Sequence, residues 1–343
     1  MIPRTTHRLL ALAAVLLGSI ATGLPARAAF HDLYLCAAFN NGSRVMGAKD
    51  GSLNGVFRLT PEGFAHVGIN YPLTISATFD PRDPNVFYVA GLSGVLRTLD
   101  GGKSWRLVTG WNETEPKSIA VDPHAPDNVY TGLPDGIVVS TDRGQTWQRR
   151  ESGLPERGKY TQVVQVDRAK AGRVFIGCET GIYLTEDGAK SWRRVLETTD
   201  TVNDIQQSPQ NPKVWIAVTQ SAGALRSKDG GRTWTRLPGV PAEKALYNVA
   251  FGTRDPLNLA IASWTYGVLL SDDGGATWNA RNEGLPPAGH VWRTAIDPDT
   301  GFLYAAIFGY GLYSSADAGR TWSAAGMEGA TIQTLTFVPR PGR

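Results

Sequence analysis

An all-β chain, a seven-bladed β-propeller with four-stranded blades, is what this sequence predicts, and three observations predict it. An eight-residue phrase recurs six times at a nearly constant spacing. Between its copies the chain breaks into short apolar runs separated by Asp-Pro and Gly turns, four runs to a period. The two ends of the chain carry complementary parts of one further unit. Repeats of about 40–45 residues, each holding four short strands, make blades.

The phrase is Ser/Thr-x-Asp-x-Gly-x-Ser/Thr-Trp, as in Thr98 to Trp105 and Ser227 to Trp234. Its aspartates are Asp100, Asp142, Asp187, Asp229, Asp273 and Asp317, spaced by 42, 45, 42, 44 and 44 residues. Its tryptophans are Trp105, Trp147, Trp192, Trp234, Trp278 and Trp322. Ala189 stands where the other five copies have Gly. An apolar run ends at the Ser/Thr and a new strand begins at the Trp, so the phrase is a strand–turn–strand corner. Asp accepts hydrogen bonds from backbone N–H groups a few residues on, and Gly supplies positive φ. The Trp buries a large ring, and its indole N–H needs a partner.

One repeat shows the plan. Residues 117–121 form a first strand, Asp122-Pro123 turns the chain, and residues 129–132 form the second. A turn at 133–136 leads to a third strand at 137–140, the corner follows, and 147–150 is the fourth. At the N-terminal end, residues 31–68 read as a degenerate blade without its innermost strand and without a Trp. At the other end, residues 331–338 read as an innermost strand with no blade after it. That strand is expected to complete the first blade, giving seven and closing the ring without exposed sheet edges.

The six corners resemble the Asp-box, or BNR repeat, across residues 74–326. Families with this repeat include sialidases, the sortilin ectodomain, xyloglucan-cleaving glycosidases and photosystem II assembly factors. The resemblance implies a propeller and no one chemistry. It also implies that the aspartates are structural.

Residues 1–28 read as a secretory signal: Arg4 and Arg8, an apolar run from Leu9 to Leu24, and the processing sequence Ala26-Arg27-Ala28. No twin arginine precedes the run and no Cys follows the cleavage site, so Sec-type export to the periplasm or medium, without a lipid anchor, is expected. The run is short for a spanning helix. The chain has 34 Lys+Arg and 31 Asp+Glu; the signal holds three arginines and no acid, leaving 31 of each in residues 29–343. That balance points away from nucleic acid and anionic membranes. A single monomeric propeller domain is expected over 29–343. Cys36 and Cys178 fall in equivalent strands three blades apart, too far for a disulfide, and are expected as buried thiols.

Asp-boxes share a face of the ring with the Asp-Pro turns. The opposite face carries the second-to-third loops and the inter-blade loops, and ligand sites concentrate on such loops. Aromatic and charged residues cluster there, a combination that suits a sugar or peptide. The candidate ligand-binding residues are Trp264, Tyr266, Trp292, Arg293, Phe308 and Tyr310. Tyr247 lies on a neighbouring inter-blade loop. Asp204, Asn248 and Arg293 occupy equivalent innermost-strand positions facing the central channel. Residues 40–54 form an insertion on the same face, a possible lid. Its Asp50-Gly51-Ser52 start resembles a calcium loop, but the closing Glu is replaced by Pro61; no metal and no cofactor are expected.

For an enzyme, glycoside cleavage needs paired carboxylates. The candidate acids and bases are Glu115, Asp135, Glu179, Asp204 and His290. The sialidase resemblance is incomplete, because the mature chain has no Arg-Ile-Pro motif and only Arg293 is well placed on an inner strand. The xyloglucan-cleaving relatives resemble two facing propellers, and this chain has one. Its length and terminal strand exchange most resemble the photosystem II assembly factors, whose propeller is a binding platform. Arg149, Arg150, Arg157, Lys159, Arg193 and Arg194 are candidates for the basic patch of that family. The expectation is thus a non-catalytic, exported scaffold binding a protein or glycan on the face opposite the Asp-boxes. The alternative is a carbohydrate-active hydrolase or lyase using acids on that face.

Overall fold

A computed structural model describes residues 30–39, 54–287 and 289–340. The expected signal, the possible lid and the calcium-like segment at 50–53 lie outside the described residues. The strands form seven four-stranded sheets, each a blade. From blade two to blade seven the innermost strands are Thr74–Asp80, Ser118–Val121, Val163–Val166, Val202–Gln207, Leu246–Phe251 and Val291–Ile296. Blade one is built from both ends of the chain: Ala330–Pro339 is its innermost strand, followed by His31–Phe39, Gly55–Thr60 and Gly63–Val67.

The two middle strands of a blade are largely apolar because neighbouring blades cover both of their faces. Val129–Leu133 and Gly136–Ser140 are buried at every position. Five outermost strands, in blades two, three, five, six and seven, have only two residues each, all exposed. The core is a ring of clusters between blades, as where Trp215 meets Phe175 at a 4.4 Å ring separation. The turn expected at 133–136 is tighter, since Leu133 pairs with Gly136 across Pro134-Asp135. The outer strand of that blade starts at Gln148, after the Trp rather than at it.

All six corners share one hydrogen-bond pattern. In each, Asp Oδ1 accepts from the Ser/Thr hydroxyl two residues before it at 2.7–2.8 Å. Asp Oδ2 accepts from the hydroxyl four residues on at 2.5–2.7 Å. The leading Ser/Thr oxygen accepts the N–H at the Gly position, as Thr98 does from Gly102 at 2.9 Å. The Gly is required for two reasons. Gly231 has φ of 79°, and a Cβ there would lie 2.4 Å from the Phe175 ring of the preceding blade. Ala189 adopts the same conformation at φ 66°, buried in the cluster around Tyr130. The indole N–H finds a carbonyl in four corners: Trp105 to Gly102, Trp234 to Gly231, Trp192 to Arg150 and Trp322 to Arg281. Trp147 and Trp278 depart from that expectation; their indole N–H groups are buried without a partner among the described residues.

These hydrogen bonds hold the box carboxylates charged. The Ser104 and Ser191 hydroxyls lead in lowering Asp100 and Asp187 to about 2, and the Thr321 backbone N–H leads for Asp317, also about 2. Asp229 and Asp273 lie lower still, through Thr233 and Thr277. A folded-state value below the ordinary 3.8 contributes stability that is complete above the unfolded value and lost as pH falls through the folded one. The urea midpoint of the protein is therefore expected to be flat above about pH 5 and to fall steeply between about pH 4 and 2. In Asp187→Asn that fall should be shallower, and an unchanged slope would show that the box does not titrate with folding.

Cys36 and Cys178 are buried and unpaired, and burial pushes both thiols up to about 12. No helix among the described residues is long and apolar enough to cross a membrane.

Candidate functional site

The channel wall follows from one backbone feature. In blades two, five, six and seven the register between the innermost and second strands shifts at Ile75, Asn203, Tyr247 and Trp292. The closing strand shifts at Gln333. Each shift leaves one extra residue, a bulge that re-aims side chains. Counting back from the turn, Lys117 and Gln162 occupy the same position in blades three and four. These seven residues form one ring of the wall, and Ser76, Ser118, Val163, Asp204, Asn248, Arg293 and Thr334 form the next. All of them except Trp292 line a cavity of about 410 Å³.

Side chains of four members of this second ring strap a blade to its neighbour. Ser118 Oγ accepts from Val164 N at 3.1 Å. Asp204 Oδ2 accepts from Val249 N at 3.0 Å. Asn248 bonds both backbone groups of Thr294, at 2.9 and 2.8 Å. Arg293 Nε donates to the Gln333 carbonyl at 2.8 Å. The three innermost-strand residues singled out in the sequence thus form the wall around an open cavity.

Blades six and seven add an aromatic cluster to the channel mouth. Tyr247 and Trp292 meet at 4.4 Å between ring centroids, and Trp264 lies 5.9 Å from Tyr247 and 6.1 Å from Trp292. Phe308 packs 5.3 Å from Trp264 and remains 41% exposed. The Arg293 guanidinium lies 4.9 Å from the Trp292 ring centroid, and the Trp292 indole N–H donates to Gln333 Oε1 at 3.1 Å. Of the six candidate ligand residues, the structure brings Trp264, Trp292, Arg293 and Phe308 together. Tyr266 instead packs against the core cluster of blade six. Tyr310 is exposed on the turn after Phe308. Gln333 was missed by sequence reasoning. The signal for it is its register, five residues before Val338, as Trp292 stands five before Asp297.

The candidate acids and base are dispersed. Asp204 is not on a loop: it sits in the innermost strand of blade five, its oxygens taken by the N–H groups of Ile205 and Val249 and by the Gln206 amide. Burial pushes its carboxyl above the ordinary value against those bonds. Asp135 is bound by both of its oxygens to Arg149, at 3.0 and 2.9 Å. Glu115 is exposed and 3.5 Å from Lys117, and Glu179 is exposed in blade four. His290 stacks on Trp264 at 4.1 Å, with Nδ1 2.8 Å from the Trp264 carbonyl oxygen, and so extends the aromatic cluster. No hydrogen bond joins any two of these five among the described residues. Much of the basic patch is neutralised locally: Arg149 and Lys159 share Glu151, Arg193 pairs with Glu186 and Arg194 with Glu197.

A seven-bladed ring with a polar channel and an aromatic cluster at its mouth defines a β-propeller. The comparisons with known proteins agree on the fold. A family model described as Sortilin-Vps10 (sortilin, neurotensin receptor 3) matches residues 93–220. A xyloglucanase of Paenibacillus sp is 25% identical over 214 residues, covering 48% of this chain and 21% of that protein. The photosystem II assembly lipoprotein Ycf48 of Synechococcus sp. (strain CC9902) is 26% identical over 151 residues, 43% of each. Among solved structures, a GH74 xyloglucanase from Xanthomonas campestris aligns with a TM-score of 0.65 at 18% identity, over 90% of this chain and 56% of that one. Ycf48 bound to a D1 peptide aligns with a TM-score of 0.56 at 18% identity, over 73% and 81%. The chain is similar in fold to sortilin-like, Ycf48 and GH74 propellers, and the match spans about a fifth of the Paenibacillus xyloglucanase.

Proposed function

We propose that this protein is an exported, non-catalytic propeller that binds a glycan at the channel mouth of blades six and seven, on the face opposite the Asp-boxes. One observation carries the reading: Tyr247, Trp264, Trp292 and Phe308, from two neighbouring blades, meet beside a polar cavity. Pyranose rings stack on aromatic faces, while polar groups of the wall fix their orientation. The likeness to xyloglucanases favours a second reading, glycoside hydrolysis. That reaction needs two carboxylates flanking the scissile bond.

The experiment is a glycan array read beside a polysaccharide depolymerisation screen, with the natural protein and with Trp264→Ala and Phe308→Ala. Binding without products, weakened about tenfold or more in either variant, supports the platform. New reducing ends would establish the hydrolase instead. Absence of both across the panel would reject the glycan and direct the search to a protein ligand.

A further inference from the structure

The channel mouth carries a cation, Arg293, with no ion-pair partner among the described residues; Asp204 of the same wall acts on it only through space. Arg293 is held by backbone carbonyls alone, Nε to Gln333 and Nη1 to Trp292. No carboxylate among the described residues lies within ion-pair distance of it, and its Nη2 has no partner among them. The one carboxylate lining the cavity, Asp204, has its oxygens engaged by other donors. Of the other lining cations, Lys117 lies 3.5 Å from Glu115 and Arg168 donates to the Gln207 carbonyl, which leaves Arg293 as the lining cation at the mouth without an ion pair among the described residues. A guanidinium with a free edge, fixed at the margin of an aromatic cluster, matches a carboxylate held beside a stacked ring.

We propose that the ligand is an acidic glycan, with a uronate carboxylate docked on Arg293 while its pyranose ring lies against the aromatic cluster. The proposal rests on the glycan reading above and specifies its chemistry. The channel edge favours a sugar over an extended peptide. A peptide adding to a sheet edge needs free backbone N–H groups, and those of Val121, Val164, Val249 and Thr294 are already bonded to side chains of the preceding blade. The exposed Phe308 ring and the Arg293 edge are the groups left to a ligand.

The test is calorimetric titration of the protein with oligogalacturonate, oligoglucuronate and oligomannuronate, each beside its carboxyl-reduced neutral counterpart. Binding of at least one uronate, weakened about tenfold or more by carboxyl reduction and by rising salt, is the expected result. Arg293→Gln should abolish the preference for the acid form, and Arg293→Lys should keep part of it. The reduction and salt measurements decide the matter on the natural protein even if the Gln variant fails to fold. Equal binding of acid and reduced forms overturns the charge assignment and leaves the platform standing, as does binding of neutral array glycans alone. Binding of tri-glutamate at this site with no uronate bound overturns the glycan assignment. No glycan binding of any kind removes both.

Discussion

Deleting residues 330–343 is expected to abolish cooperative folding of the entire ring. The closing strand Ala330–Pro339 pairs with His31–Phe39 at nine positions, from His31 opposite Pro339 to Phe39 opposite Ala330. Ile332 is buried with Leu33, Leu35, Ala306 and Leu312, so the strand also fills the seam between blades seven and one. Gln333 supplies the carbonyl that holds Arg293 and the amide oxygen that holds Trp292. Around this strand the seam is clasped further. Asp299 of blade seven accepts the N–H groups of Phe30 and His31 at 2.8 and 2.9 Å and meets the His31 imidazole at 2.8 Å. Arg340 pairs with Asp32 at 2.7 Å. Without the strand, blade one loses its channel side and the ring exposes a sheet edge, which invites aggregation. Thermal melting and size exclusion of the truncation check this. If the truncated protein melted with the natural protein, the seam would not be what closes the ring.

Asp167→Ala is expected to destabilise the protein by about 2–3 kcal/mol, the cost of losing a buried hydrogen bond between charged groups. Arg173 and Asp167 pair at 2.7 Å with side chains only 7% and 5% exposed. The pair joins two blades. Asp167 accepts from the Gln207 amide of blade five at 2.8 Å. Arg173 donates to the Gly230 carbonyl in the next Asp-box and lies 4.8 Å from the Phe175 ring centroid. Removing the carboxylate leaves the buried Arg173 guanidinium with Glu186 at 3.2 Å and the Gly230 carbonyl as its remaining partners. Replacing both partners with apolar residues of similar volume, Asp167→Leu with Arg173→Met, should recover much of the loss. Urea unfolding of the two single variants and the double variant gives the cycle. A single-variant loss below about 1 kcal/mol would mean that water reaches the pair.

The repeat was legible because each corner is local. Asp, Gly and the flanking hydroxyls bond within eight residues, so spacing alone reveals the corner, and the period reveals the blade. The shared first blade was legible because a second-type strand at 33–39 had no inner partner before it, while 331–338 had no blade after it. Tyr266 and Trp264 show the limit. They are two residues apart on one loop, yet one packs inward on blade six and the other joins Trp292. Asp204 shows it again. Its residue type suggested an acid for catalysis, and its neighbours make it a strap between blades.

The sequence by itself determined the architecture: the blade count, the corner chemistry, the face opposite the corners and the closing strand. These depend on residue type and period, which are properties of the chain order. Only the tertiary structure decided the site. The bulge that turns Tyr247, Trp292 and Gln333 into the channel, and the pairing of Arg293 with carbonyls instead of a carboxylate, depend on contacts between residues about 40 positions apart. Such contacts are set by the angle between blades, which no local pattern encodes.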